Sequence, residues 1–459
     1  MDRIIADLQP ISPVAGQEVR RTLAERMAHH KVPGMSVAII DGGRVVETAG
    51  FGLADASTGE KVTPETLFQA CSMSKPMAAL AVMRAVERGE LDLDAPVNRY
   101  LKSWQLPSTD SFSADGVTLR RLLSHTAGTS VPGFGGYPLG TAVPTTVEVL
   151  DGLAPANSAP VRLTMPPGGQ DEYSGGGTTI TQLVLEELSG LAADEVYARD
   201  ALVPLGMSVS TFAQPLPEAL RSKAATGHDQ AGVPVPGRFH VYPEYGAAGL
   251  WTTAADFARY LIGLQEAART EGGVLSRAGV AAMMTPQPNS THGIGPEIAG
   301  TGETLRFGHS GGNRGFRCDS RAYLHLGKGA VVLVNGEGVA NAGWALTREL
   351  MNAIARAYDW PDFAKPARLP VTLSADQMAA VVGRYAAGDA EVVVSVQDGG
   401  LVSRSTFAGE RQVLALSATD FFTAESPYDL RIEMADGRAA AFVIHDNGEI
   451  VMRLPRAEA

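Results

Sequence analysis

The sequence predicts an α+β fold with a small all-β region behind it, on three observations. Residues 35–40 and 44–48 are β-prone runs joined by Asp41-Gly42-Gly43, and such runs return at 322–326 and 330–335 around Gly327-Lys328-Gly329. Between these two ends the chain is dominated by segments with apolar residues at helical spacing. Beyond a proline-rich connector only short β-prone runs remain, separated by glycine turns.

With 459 residues, 45% of them hydrophobic and 19% charged, the chain is long enough for two domains and a large buried core. The net charge of −12, with no clustering of Lys and Arg, argues against nucleic acid as a partner. Two cysteines, Cys71 and Cys318, cannot build a disulfide framework and read as small buried residues. Acidic residues interrupt the first segment at Asp2 and Asp7, where a signal peptide needs an apolar core, and no stretch reaches spanning length. The expectation is a soluble, cytoplasmic protein with no membrane partner, of unknown oligomeric state.

Taken in order, Val19, Leu23 and Met27 predict a packed helix between Gly16 and His30, on which His29 and His30 form a solvated pair. Residues 77–86 are rich in strong helix formers and Gly89 supplies the stop. If that helix begins near Ser72, Pro76 falls at its first turn, where a missing N–H costs little. Residues 118–128 read as a short helix and turn, with His125 structural at the helix end. A Gly- and Pro-rich loop over 166–177 precedes a helix carrying Ile180, Leu183, Val184 and Leu188. Thr253-Ala254-Ala255-Asp256 opens another, with Phe257, Tyr260, Leu261 and Leu264 on one side. The small residues at 246–249 before it suit close backbone packing beside a site. Trp344, Leu346, Leu350, Met351, Ile354 and Tyr358 define a long closing helix. Pro361, Pro366 and Pro370 then mark a boundary, dividing the chain into domains 1–365 and 371–459. In the second, runs at 392–396, 401–403, 412–416, 430–434 and 440–444 predict a meander or barrel. Its turns fall at Asp398-Gly399-Gly400, Asp436-Gly437 and Asp446-Asn447-Gly448.

The chemistry lies in three separated motifs. Ser72 and Lys75 stand three residues apart on one helix face, close enough to share a hydrogen bond. A serine hydroxyl needs an adjacent base to become a nucleophile, and a poorly solvated lysine with a lowered pKa can supply one. Tyr173 sits where a glycine-rich loop meets a helix, and a cationic neighbour would lower its pKa enough for base work. The third motif, His309-Ser310-Gly311, lies in a stretch leading into strands. The histidines show no metal-ligand spacing along the chain, so neither metal nor cofactor is expected.

Ser72-Met73-Ser74-Lys75, Tyr173-Ser174-Gly175 and His309-Ser310-Gly311, in that order, resemble the serine β-lactamase and penicillin-binding-protein superfamily. Within it, they resemble the class C β-lactamase-like esterases and D-aminopeptidases. The resemblance runs from about residue 15 to 360 and includes the Leu123 to Gly128 and Ala248 to Trp251 stretches. It implies an antiparallel sheet flanked by helices with an all-helical subregion, and a lipocalin-like C-terminal β-domain. It makes Ser72 the acylated nucleophile, Lys75 its proton partner and Tyr173 the general base, with His309 in the place usually held by a lysine. Backbone N–H groups of Ser72 and Gly312 would form the oxyanion hole, with Gly311 and Gly175 beside the substrate.

Two departures matter. Tyr-x-Asn has become Tyr173-Ser174-Gly175, which removes a side-chain amide, and the lysine has become His309, which weakens a fixed positive charge. Arg314 and Arg317 either restore binding of a substrate carboxylate or are structural charges. The implied protein is a serine hydrolase acting through an acyl-enzyme on small ester, amide or peptide substrates. The alternatives are an acyltransferase or peptide cyclase of penicillin-binding-protein type, a weak β-lactamase, or a non-catalytic penicillin-binding protein. A rival nucleophile, Ser310, lies in Gly308-His309-Ser310-Gly311-Gly312, which matches the Gly-x-Ser-x-Gly elbow of α/β-hydrolases and would need a helix directly after it.

Overall fold

Gly42 and Gly43, at φ of 59° and 73°, reverse the chain between β1 (Gly34–Asp41) and β2 (Arg44–Asp55). With β3 (Glu60–Lys61), β4 (Glu297–Ala299), β5 (Arg306–Asn313), β6 (Phe316–Tyr323) and β7 (Gly329–Val334) they form an antiparallel seven-stranded sheet ordered β3-β2-β1-β7-β6-β5-β4. β1 and β7, near-continuous apolar runs, pair from Met35 opposite Val334 to Ile40 opposite Gly329. Both are buried almost throughout, so the sheet is covered at its centre. The structure, a computed structural model, describes residues 1–435, 437–446 and 449–457.

A 3₁₀ turn over Cys71–Met73 feeds α1 (Ser74–Glu87), with Pro76 in the first turn as expected. Met77, Leu80, Val82 and Met83 are all buried, each worth roughly 1.5–3 kcal/mol against exposure, so α1 is held from every side. Gly89 ends it at φ 73°, its N–H reaching Val86 O at 2.9 Å. α2 (Gly175–Ser189) is capped by Ser174, whose Oγ accepts from Gly177 N at 2.8 Å. α3 (Ala254–Ala267) is capped by Thr253 and buries Phe257, Tyr260, Leu261 and Leu264 where it packs on β1 and β7.

The chain divides into two compact units, one of residues 27–338 and one of residues 1–26 with 339–459. The first holds the seven-stranded sheet. The second holds α4 (Gly343–Ala357), the closing helix, and eight strands in sequence order. These are β8 (Gly383–Ala387), β9 (Ala390–Gln397), β10 (Gly400–Ser405), β11 (Gly409–Ala415), β12 (Asp420–Phe422), β13 (Asp429–Ala435), β14 (Arg438–Asp446) and β15 (Glu449–Pro455). An antiparallel bridge from Tyr385 to Arg456 brings the end of the meander back to its first strand, giving a near-barrel around Tyr385, Val394, Phe421 and Phe442. The α+β class and the β-barrel-like end agree with expectation. Asp436, Asn447 and Gly448, in two of the expected turns, lie outside the described residues.

The N-terminal helix is shorter than its spacing suggested. It spans Leu23–His30 and leaves Val19 out, because Thr22 and Glu25 form a reciprocal cap: the Glu25 carboxylate accepts from Thr22 N at 2.7 Å, and Thr22 Oγ1 accepts from Glu25 N at 3.2 Å. Its His30 is buried rather than solvated. Among the described residues, no helix is long and apolar enough to cross a membrane.

Candidate active site

The turn that carries Ser72 is pinned before α1 begins. Cys71 sits at φ 52°, Ala70 N donates to Leu250 O at 2.8 Å, and Leu250 N returns a bond to Ser74 Oγ at 3.0 Å. The small residues at 246–249 therefore do lie against the site. At the second residue of α1, Lys75 Nζ is 3.1 Å from Ser72 Oγ and donates to Ala247 O at 3.0 Å. Lys75 is only 4% exposed, and burial lowers its pKa from 10.5 to about 7. That shift is on the order of 5 kcal/mol in favour of the neutral amine. A neutral Nζ can give one hydrogen to Ala247 O and keep its lone pair for the Ser72 hydroxyl.

Tyr173 reaches the same place from the loop before α2. Its ring lies with its centroid 4.9 Å from Lys75 Nζ, and its phenol is directed at the Ser72 side chain. The sequence led us to expect a lowered phenol pKa. The structure reverses the sign: burial raises it, and the Ser72 side chain opposes this only in part. Tyr173 is a neutral hydroxyl here.

β5 forms the opposite wall. Asn313 and Phe316 flank a two-residue turn, so they form a hydrogen-bonded pair and the next pair, Gly312 with Arg317, does not. The N–H of Gly312 therefore faces away from β6, along the edge where Ser310 N reaches toward Glu297 Oε1 at 3.4 Å. Gly311 presses on the nucleophile turn, since a Cβ there would lie 2.6 Å from Ser72 N. His309 is 2% exposed, and burial drives its pKa down to about 3 despite the pull of Glu297. The imidazole in the lysine's place is uncharged at neutral pH.

Four further groups join the site. His125, read from sequence as structural, stacks on Tyr173 with ring centroids 4.3 Å apart, and its backbone stands at φ 60°. His292 packs edge-on to His125 at 4.8 Å and donates from Nδ1 to Asp171 Oδ2 at 3.2 Å. One ring nitrogen from each of His125, His292 and His309 lies within 4.8 Å of the others. The metal ligand spacing absent along the chain is thus approached in space. His125 Nδ1, however, accepts a hydrogen bond from Ser174 N at 3.1 Å, which leaves its hydrogen on Nε2 and no second lone pair for a cation. The fourth group, Glu297, is pushed up by burial, but Arg321, His309 and His292 outweigh that and hold it well below the usual carboxylate range.

Several expected contacts take other forms. The Gly175 N–H is donated to Pro132 O at 3.2 Å, and a Cβ there would meet Phe134 at 3.0 Å, so this residue offers the substrate neither amide nor side chain. Arg317 is 7% exposed and donates to Asn313 O at 2.8 Å and Phe316 O at 2.7 Å, which commits it to closing the hairpin. Arg314 is held by Glu337 at 3.2 Å. Neither is placed as a free receptor for a carboxylate. β5 turns back into β6 three residues after Ser310, so the helix that a nucleophile elbow needs is not there.

Fold and site together define a serine hydrolase. The Beta-lactamase family model matches residues 19–352, and the chain belongs to that family. It is 31% identical over 311 residues to an esterase, EstB, of Burkholderia gladioli, covering 61% of this chain and 75% of that one. It is 30% identical over 367 residues to penicillin-binding protein 4 of Amycolatopsis lactamdurans, covering 75% and 91%. Among solved structures, the octameric penicillin-binding protein homologue from Pyrococcus abyssi shares the fold with a TM-score of 0.61, 24% identity, and coverage of 94% and 98%.

Proposed function

We propose that this protein hydrolyses small, uncharged carboxylic esters, and more slowly the matching amides, through an acyl-enzyme on Ser72. The observation that carries the reading is the 3.1 Å contact between Ser72 Oγ and a buried Lys75 amine whose pKa lies at about 7. As the Ser72 Oγ–carbon bond forms, the hydroxyl proton passes to Lys75 Nζ. The oxyanion is held by the N–H groups of Ser72 and Gly312, and Tyr173 relays the proton to the leaving oxygen or nitrogen as its bond to carbon breaks. An acyl acceptor then frees Ser72. Tyr173 acts here as a neutral relay, with Lys75 as the base.

Substrate charge follows from what surrounds the nucleophile. A neutral His309, with Arg314 and Arg317 engaged elsewhere, supplies no fixed cation for a carboxylate such as that of a β-lactam. The loss of a charged hydrogen bond is worth roughly 1.5–3 kcal/mol, about 10- to 100-fold in rate. The esterase relative points the same way. We also place the domain boundary between residues 365 and 371, supported by Pro361, Pro366 and Pro370, giving a hydrolase domain of 1–365 and a β-barrel-like domain of 371–459.

A panel of p-nitrophenyl esters, D-amino-acid amides and nitrocefin tests the proposal. Short neutral esters should show the highest kcat/KM, roughly 10- to 100-fold above nitrocefin. Nitrocefin turned over as well as the esters would overturn it.

A further inference from the structure

The three histidines beside Tyr173 present a fixed pattern of hydrogen-bonding groups. His292 gives its Nδ1 hydrogen to Asp171, and His309 gives its own to Ser310 O at 2.5 Å, so both Nε2 atoms carry lone pairs. His309 Nε2 is buried and has no hydrogen-bond partner. His125, fixed by Ser174 N, instead presents an N–H. Two acceptors and one donor are the complement of a single water molecule, which has two hydrogens to give and a lone pair to receive.

The spread of the cluster leaves room for that reading. Two hydrogen bonds of about 2.9 Å meeting at a tetrahedral oxygen set their nitrogens about 4.7 Å apart, whereas two zinc bonds of about 2.0–2.1 Å set them about 3.4 Å apart. One ring nitrogen of each histidine lies within 4.8 Å of the others, a spread that admits the water. The Asp171 carboxylate also receives Ser290 Oγ at 2.6 Å, and His292 N donates to Ser290 Oγ at 2.9 Å, so the imidazole is held in one orientation.

We propose that the three histidines seat the water that hydrolyses the acyl-enzyme, with His292 as its general base and Asp171 as the residue that positions His292. The proposal rests on the Ser72 acyl-enzyme. In the step, the water oxygen bonds to the acyl carbon while one of its protons passes to His292 Nε2. The carbon–oxygen bond to Ser72 then breaks, and Ser72 Oγ takes up the proton held on His292 Nε2, restoring both the hydroxyl and the neutral imidazole. Lys75 and Tyr173 serve acylation, and the histidine cluster serves release. This assigns the site to hydrolysis rather than transfer, because the seat is shaped for water.

Presteady-state kinetics with p-nitrophenyl acetate separate the two halves. In His292→Gln the burst of p-nitrophenol should persist while the steady state falls about 100-fold or more, with acylated Ser72 accumulating in the intact mass. Asp171→Asn should show the same imbalance to a smaller degree. If burst and steady state fall together, or neither changes, the assignment to deacylation is wrong. If the untagged wild type binds one equivalent of Zn²⁺ at micromolar concentration and His292→Gln loses it, the cluster is a metal site and the proposal fails. If the wild type gives no Ser72 adduct at all, it is the acyl-enzyme reading that fails instead.

Discussion

A Cβ placed on Gly311 would stand 2.6 Å from the amide nitrogen of Ser72. β5 therefore touches the nucleophile turn through backbone alone. The same Cβ would meet Cys71 Cβ at 2.8 Å and Cys318 Sγ at 2.9 Å, so it has no side to move toward. Gly311→Ala should cost roughly 1–3 kcal/mol of stability and at least about 10-fold in kcat/KM, because the oxyanion donors shift with the strand. Thermal unfolding and ester kinetics on the purified variant check both.

The pH dependence of acylation follows from Lys75. Burial lowers its pKa to about 7, so the base form grows as pH rises through that value. For a neutral ester, kcat/KM should rise with a limb near pH 7 and then level off. His125 and His309 are both pushed down by burial and stay neutral across this range. A limb above pH 10 would mean that an ordinary solvated lysine or a tyrosine is the base.

Tyr173→Phe separates the relay from the base. Removing a positioned proton carrier should lower kcat by roughly 10²–10⁴ while leaving the pH limb where Lys75 sets it. A limb that moves with this substitution would return the role of base to the phenol.

Restoring the superfamily asparagine should not create a β-lactamase. In Gly175→Asn the new Cβ would approach Phe134 at 3.0 Å and Pro132 O at 3.2 Å, in the loop that receives the Gly175 N–H. Overpacking there should cost roughly 1–3 kcal/mol and leave nitrocefin turnover no better. A melting curve and a nitrocefin assay decide it.

The parts of the site legible in the sequence are those that local geometry brings together. Ser72 and Lys75 meet because three residues make nearly one helical turn, and Gly311 carries its meaning in lacking a side chain. His125, Asp171, His292 and Glu297 meet only through the tertiary fold, and no spacing along the chain connects them. The local signals were the Leu123 to Gly128 stretch that holds His125 and the Gly293-Ile294-Gly295 run that follows His292. The direction of the Tyr173 shift was missed for a related reason. A cationic neighbour can be guessed from a motif, but the burial that outweighs it belongs to the assembled core. In the fold, β1, the start of β2, β7 and the buried α1 were plain from their sequence runs, whereas β3, β4 and β5 carry no apolar run. β6 spans Phe316–Tyr323, with 324–326 a turn rather than the strand expected at 322–326, and the start of the N-terminal helix was decided by the Thr22 and Glu25 cap.

The central claim is that one hydroxyl among the serines of this chain takes up the acyl group. Intact-mass and peptide mapping after incubation with a fluorophosphonate measures this directly. The account predicts a single adduct on Ser72, lost in Ser72→Ala and retained in Ser310→Ala. An adduct on Ser310, or none on Ser72 in a folded protein, would contradict it.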